Sequence, residues 1–150
     1  MKIEFLESQL GQIVKKFILP HVQSGAVLLV KGPLGAGKTT MAKTLARELG
    51  ATEELTSPTF AYVNLYKNLK NSFGIEFFAH FDLYRLEGFA DFINLDLFDL
   101  IGQPGSLCFI EWPELIEQNI DFFSAIKKVF RLELSHAIGK LDVRILELRF

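Results

Sequence analysis

The chain has 150 residues, of which 49% are hydrophobic and 15 are phenylalanine, enough apolar material for one core and the length of a single domain spanning residues 1–150. A net charge of -2 and a pI of about 5.9 leave no basic field to draw the protein onto a phosphate backbone, so binding to DNA and unaided binding to RNA are not expected. The single cysteine, Cys108, excludes an internal disulfide and a cysteine-rich metal site, and in its apolar run it reads as a small hydrophobe.

In chain order, Met1 to Glu7 is broken by charges too often to hold the apolar region of a signal peptide. No apolar stretch later approaches the roughly 20 residues that cross a bilayer, so no membrane contact is expected and the cytoplasm is the expected compartment. Leu10, Ile13, Val14, Phe17 and Ile18 recur at helical spacing, which predicts an amphipathic helix with Ser8 as N-cap and Pro20 as its stop. Ala26 to Val30 is continuously apolar and short, as a strand buried on both faces of a parallel sheet would be. A glycine-rich loop follows at once, then Met41, Ala42, Leu45, Ala46 and Leu49 mark one face of a helix over 39–49 with Gly50 at its C-terminal cap. Phe60 to Lys67 and Ile75 to Asp82 read as two strands joined by a polar turn. A helix is expected from Phe89 to Leu97, ending near Gly102. Leu107 to Ile110 is a second buried run, which Glu111 ends, and the alternation at Leu132, Leu134 and at Leu141, Val143, Ile145 predicts two closing strands. The expected fold is α/β: a P-loop NTPase-like three-layer domain with a central, mostly parallel sheet between helices.

The segment Gly32-Pro33-Leu34-Gly35-Ala36-Gly37-Lys38-Thr39 is a P-loop motif between a strand and a helix, the order that anion binding requires. Its glycines allow successive backbone N–H groups to turn inward on phosphates, Lys38 supplies positive charge, and the Thr39 hydroxyl can ligate magnesium at the helix start. Gly32, Leu34, Gly35, Ala36, Gly37, Lys38, Thr39 and Thr40 are therefore the expected contacts for ATP or ADP with Mg2+. Glu111, at the end of a buried strand, suits a magnesium ligand or the residue that orients the attacking water, and the sequence does not separate these roles. Asp82 also ends a strand, where an aspartate serves either in a turn or in catalysis. His80, two residues earlier, reads as a core histidine, and with no second histidine or cysteine at ligand spacing no zinc is expected. Ser57-Pro58-Thr59 is a proline turn or a switch facing the γ-phosphate, and Arg85 is a surface arginine or a stabiliser of developing charge.

Guanine specificity is not expected, because no Asn-Lys-x-Asp segment exists. Asp99-Leu100-Ile101-Gly102 matches a bare Asp-x-x-Gly pattern but sits at a predicted helix end, not after a strand. A small-molecule kinase would bring an arginine-bearing lid, which the chain's five scattered arginines do not form; this reading and that of a non-catalytic nucleotide sensor stay open.

Four segments in order, Gly32 to Thr40, Thr56 to Phe60, His80-Phe81-Asp82-Leu83-Tyr84-Arg85-Leu86 and Ile110-Glu111-Trp112-Pro113-Glu114, resemble the TsaE (YjeE) family, the ATPase subunit of bacterial tRNA threonylcarbamoyladenosine biosynthesis. The resemblance spans about residues 25 to 117. It implies a cytoplasmic ATPase, weak alone, that works with the TsaD and TsaB proteins in modifying tRNA beside the anticodon; the pI of about 5.9 leads one to expect that tRNA is met only through those partners. It further implies magnesium on Thr39 and Glu111, catalysis by Lys38, Asp82 and Glu111, a switch at Ser57, Pro58 and Thr59, and switch or partner roles for Tyr84, Arg85 and Trp112. Pro33 departs from the family's usual acidic residue and removes one backbone donor near the phosphates.

Overall fold

The two continuous apolar runs lie at the middle of the molecule, since they are the strands without a polar face to offer water. The computed structural model describes residues 1–52, 62–67 and 69–149. Its strands are β1 (Lys2–Leu6), β2 (Ala26–Lys31), β3 (Val63–Tyr66), β4 (Phe77–Asp82), β5 (Ser106–Glu111), β6 (Val129–His136) and β7 (Val143–Arg149). Its α-helices are α1 (Leu10–Ile13), α2 (Lys38–Glu48), α3 (Phe89–Ile93), α4 (Glu114–Glu117) and α5 (Ile120–Ser124). Among the described residues the strands form one sheet in the order β1-β7-β6-β2-β5-β4-β3.

The expected parallel sheet holds at the centre, where β2 runs parallel to both β5 and β6 and β4 runs parallel to β5. It fails at both margins, where β3 is antiparallel to β4, β7 to β6, and β1 to β7. The stretch 137–142 shows why: a parallel return needs a crossover of about a dozen residues, and this turn is too short to do more than reverse the chain. β1 itself has no counterpart in the sequence reading. Its alternation of Lys2, Glu4 and Leu6 outward with Phe5 buried is that of an edge strand, and the charges masked it.

Alternate residues of the central strands feed two cores. Ala26, Leu28, Val30, Phe109 and Leu132 meet the N-terminal helical run and α2, whereas Val27, Leu29, Phe81, Cys108 and Ile110 meet the aromatic layer around Phe92, Ile116 and Phe123. Helices thus cover the sheet from both sides, giving the three layers expected. Cys108 is buried in the second core, and burial pushes its thiol up to about 12, so it packs as the inert hydrophobe anticipated.

The first helix differs from expectation in detail. It is a continuous helical run made of a 3₁₀ turn (Glu7–Gln9), α1, a π turn (Val14–Ile18) and a second 3₁₀ turn (Leu19–His21). Its start is capped by Gln9, whose Oε1 accepts the Leu6 N–H at 2.9 Å, and not by Ser8. Pro20 lies inside the last 3₁₀ turn, in its opening positions, where a missing N–H leaves no bond unmade. α2 keeps its predicted extent to within a residue, and Gly50 ends it at φ 84°. α3 stops at Ile93, short of the expected Leu97, which instead takes a left-handed φ of 70° before a 3₁₀ turn at Phe98–Leu100. Among the described residues no helix is long and apolar enough to cross a membrane.

Candidate functional site

Four elements converge at the carboxyl end of the parallel strands: the loop after β2, the start of α2, and the ends of β4 and β5. The loop turns sharply because of its glycines. Gly32, at φ 146°, lies against β6 so closely that a Cβ would stand 2.1 Å from the Leu134 carbonyl oxygen, and no other residue fits there. Gly37, at φ 103°, is the N-cap of α2 and releases the first helical N–H groups toward the cleft. Lys38 is buried, and its Nζ donates to the carbonyl oxygens of Gly32 at 2.7 Å and Pro33 at 3.0 Å while lying 3.9 Å from the centre of the Trp112 ring. Burial lowers its pKa, and Glu111, Asp82 and Glu114 partly oppose that.

β5 delivers Glu111 to the same place. The Thr39 hydroxyl donates to Glu111 Oε1 at 2.8 Å, which ties the first turn of α2 to the end of the central strand. His80 Nε2 lies 2.7 Å from the same oxygen, and both His80 and Glu111 are almost wholly buried. Asp82 pairs with Glu111 in the register of β4 against β5. Its carboxyl is raised above the ordinary value mainly by burial, with Glu111 adding to the rise and the Tyr84 backbone N–H, 3.2 Å from Oδ1, opposing it. Trp112 follows at φ 58°, a conformation costing a bulky residue about 1–2 kcal/mol, and this turn sets its ring over Lys38 and 4.9 Å from the ring of Tyr84.

The resulting cleft of about 230 Å³ is bordered by Leu34, Lys38, Thr39, Asp82, Glu111 and Trp112, with Gly35, Gly37, Thr40 and Tyr84 beside them. Ala36 is buried beneath the loop, and its N–H bonds the Pro33 carbonyl at 3.2 Å. Arg85 is exposed and faces a separate cleft with Tyr62, Glu87 and Asp91. Ser57, Pro58 and Thr59 lie outside the described residues.

Two features, one behind the cleft and one at its edge, escaped the sequence reading. His80 appeared as a core histidine, and its tie to Glu111 depends on strand register, which no local pattern carries. Glu7 also lines the cleft, and its Oε2 accepts from Arg144 Nη2 at 2.7 Å, so a cation from β7 offsets an acid beside the phosphate loop.

The residues present suit magnesium. Among the described residues no three acidic, histidine or cysteine groups gather into a cage. Magnesium does not need one, since it keeps several waters and is usually held by one or two protein oxygens plus substrate phosphates. Thr39 and Glu111, hydrogen-bonded beside a glycine loop, offer that partial set.

Fold and loop together define a P-loop NTPase-like protein. Residues 6–140 match the family model for "Threonylcarbamoyl adenosine biosynthesis protein TsaE", and the chain belongs to that family. It is similar to proteins named "tRNA threonylcarbamoyladenosine biosynthesis protein TsaE". That of Bacillus subtilis (strain 168) is 36% identical over 107 residues, covering 71% of this chain and 63% of the relative. That of Borreliella burgdorferi is 32% identical over 116 residues, covering 77% and 80%, and that of Streptomyces coelicolor 33% over 132, covering 87% and 80%. Among solved structures, Bacillus YdiB superposes with a TM-score of 0.67 at 25% identity, over 97% of this chain and 82% of that one.

Proposed function

We propose that this chain is a magnesium-dependent ATPase serving the synthesis of threonylcarbamoyladenosine on tRNA, hydrolysing ATP weakly alone and faster with TsaD and TsaB. The observation that carries the reading is the 2.8 Å bond from Thr39 to Glu111, which couples the phosphate loop to a buried strand-end carboxylate. The family membership and the names of the relatives supply the tRNA context.

In this reading the loop N–H groups and the start of α2 receive the phosphates, since both leave donors unsatisfied within the protein. Lys38 leaves the Gly32 and Pro33 carbonyls, or shares itself with them, to meet phosphate oxygens. Thr39 and Glu111 would hold magnesium, which when bound would offset the negative charge of the nucleotide phosphates. Asp82, whose carboxylate burial makes a stronger base, takes a proton from the attacking water. Trp112 and Tyr84 form the aromatic wall of the cleft. With the chain's net charge of -2, tRNA is reached through the partner proteins and not by this chain directly.

The test is phosphate release from ATP by the purified chain, alone and with TsaD and TsaB, with Glu111→Ala as control. Slow release that rises with the partners and disappears in the variant is expected. Release indifferent to both partners and variant would overturn the reading, and a phosphorylated small molecule as product would point to a kinase instead.

A further inference from the structure

The mechanism above gives His80 no task, although it is the buried histidine whose ring touches the site. It does not border the cleft itself, so it acts on a ligand only through another residue. We propose that His80 is a positioning residue for the magnesium site, fixing the Glu111 carboxylate so that Thr39 and Glu111 present their oxygens to the metal already oriented. The proposal rests on the magnesium-ATP reading and deepens it.

The geometry is that of a support. His80 sits on β4 opposite Phe109, and Glu111 lies two residues further along β5 on the same face, so the two side chains meet diagonally across neighbouring strands. Phe109 meets the imidazole edge-on, with ring centres 5.7 Å apart and planes at 84°, which holds its orientation. The ring's Nε2 stands 2.7 Å from Oε1 of Glu111. An ionised carboxylate only accepts hydrogen bonds, so Nε2 carries the proton and donates. Oε1 thereby takes two donors, His80 and Thr39, while Oε2 accepts from no described residue.

That division matters chemically. One oxygen is saturated from inside the protein and fixes the carboxylate plane; the other is left to the metal or its water. A histidine that merely filled the core would be served by any acceptor. This one uses the oxygen that also binds the P-loop threonine. Partners of this kind behind a metal ligand typically contribute roughly 10–100-fold in metal affinity.

The test is a magnesium titration of ADP binding, read by a fluorescent ADP, for wild type, His80→Gln, His80→Asn and His80→Phe. The glutamine amide nitrogen reaches the place of Nε2, whereas the asparagine nitrogen falls short at the place of Nδ1, with the same polarity and no loss of bulk larger than one methylene. His80→Gln is expected to keep the wild-type magnesium midpoint to within about threefold, and His80→Asn and His80→Phe to need roughly 10–100-fold more magnesium. ADP affinity in EDTA should be the same in all four. Equal midpoints in wild type and His80→Asn would overturn the inference alone, as would a parallel loss of metal-free ADP binding, which marks a structural role. ADP binding by wild type that ignores magnesium would overturn both this inference and the reading beneath it.

Discussion

The two ends of the parallel strands are built from different chemistry. At the amino ends, glycine turns, hydroxyls and one lysine satisfy the backbone: Ser106 Oγ shares its proton between the carbonyls of Leu100 at 2.6 Å and Gln103 at 2.8 Å, Ser24 Oγ accepts the Gly105 N–H at 2.6 Å, and Lys128 Nζ donates to the Ser24 carbonyl at 3.2 Å. At the carboxyl ends the chain buries Lys38, His80 and Glu111, half-buries Asp82 and holds Trp112 in a left-handed turn. Buried charge and strained backbone reduce stability unless something else compensates. One end of the sheet is therefore organised for folding, and the other carries buried charge and backbone strain that the fold alone does not require.

If this contrast is right, substitutions at the two ends should separate activity from stability. The largest effect belongs to Glu111→Gln, which keeps an acceptor for Thr39 and His80 but removes the charge proposed to hold magnesium. Partner-stimulated phosphate release should fall about 1000-fold, equal to about 4 kcal/mol of barrier, with little change in melting temperature. Ser106→Ala, at the opposite end, should show the reverse: a loss of about 0.5–1.5 kcal/mol in urea unfolding, because the buried Ser106 hydroxyl loses its hydrogen bond while the Leu100 and Gln103 carbonyls keep backbone donors, and an unchanged rate per folded molecule. Comparable losses of activity in both variants would erase the distinction.

The smallest effect, and the one most particular to the carboxyl end, comes from Asp82→Asn. Because burial raises the folded-state pKa of Asp82 above its ordinary value of 3.8, the folded protein holds this proton longer than the unfolded chain. Its charged form thus costs stability that is absent below the ordinary value and fully present above the raised one. On the melting midpoint, removing the charge should give a small rise near neutral pH and no change in acid. A melting midpoint lowered at neutral pH would mean that the carboxylate is stabilising where it lies.

The carboxyl end was the more legible of the two in sequence, for a physical reason. A phosphate loop needs glycines, a lysine and a threonine in one contiguous stretch, and the apolar runs before Asp82 and Glu111 announce strands whose ends must reach the surface. Local order therefore disclosed Lys38, Thr39, Asp82 and Glu111, which the fold brings into one cleft. What depended on register or pairing stayed hidden. His80 and Glu111 meet only because β4 lies beside β5, and the antiparallel margins follow from turn lengths that a strand pattern does not reveal. β1 was lost among Lys2 and Glu4, and Gln9 took the capping role that composition assigned to Ser8.

The claim that the carboxyl end exists for a nucleotide is tested most directly by melting the purified chain in ATP and magnesium, beside Lys38→Ala under the same conditions. A ligand at 100 times its dissociation constant stabilises the state it binds by about 2.7 kcal/mol, enough to move the transition by several degrees. The wild-type chain should show that shift, need magnesium for its full size, and lose it in Lys38→Ala. An unmoved transition in the wild type, or the same shift in both proteins, would contradict the account.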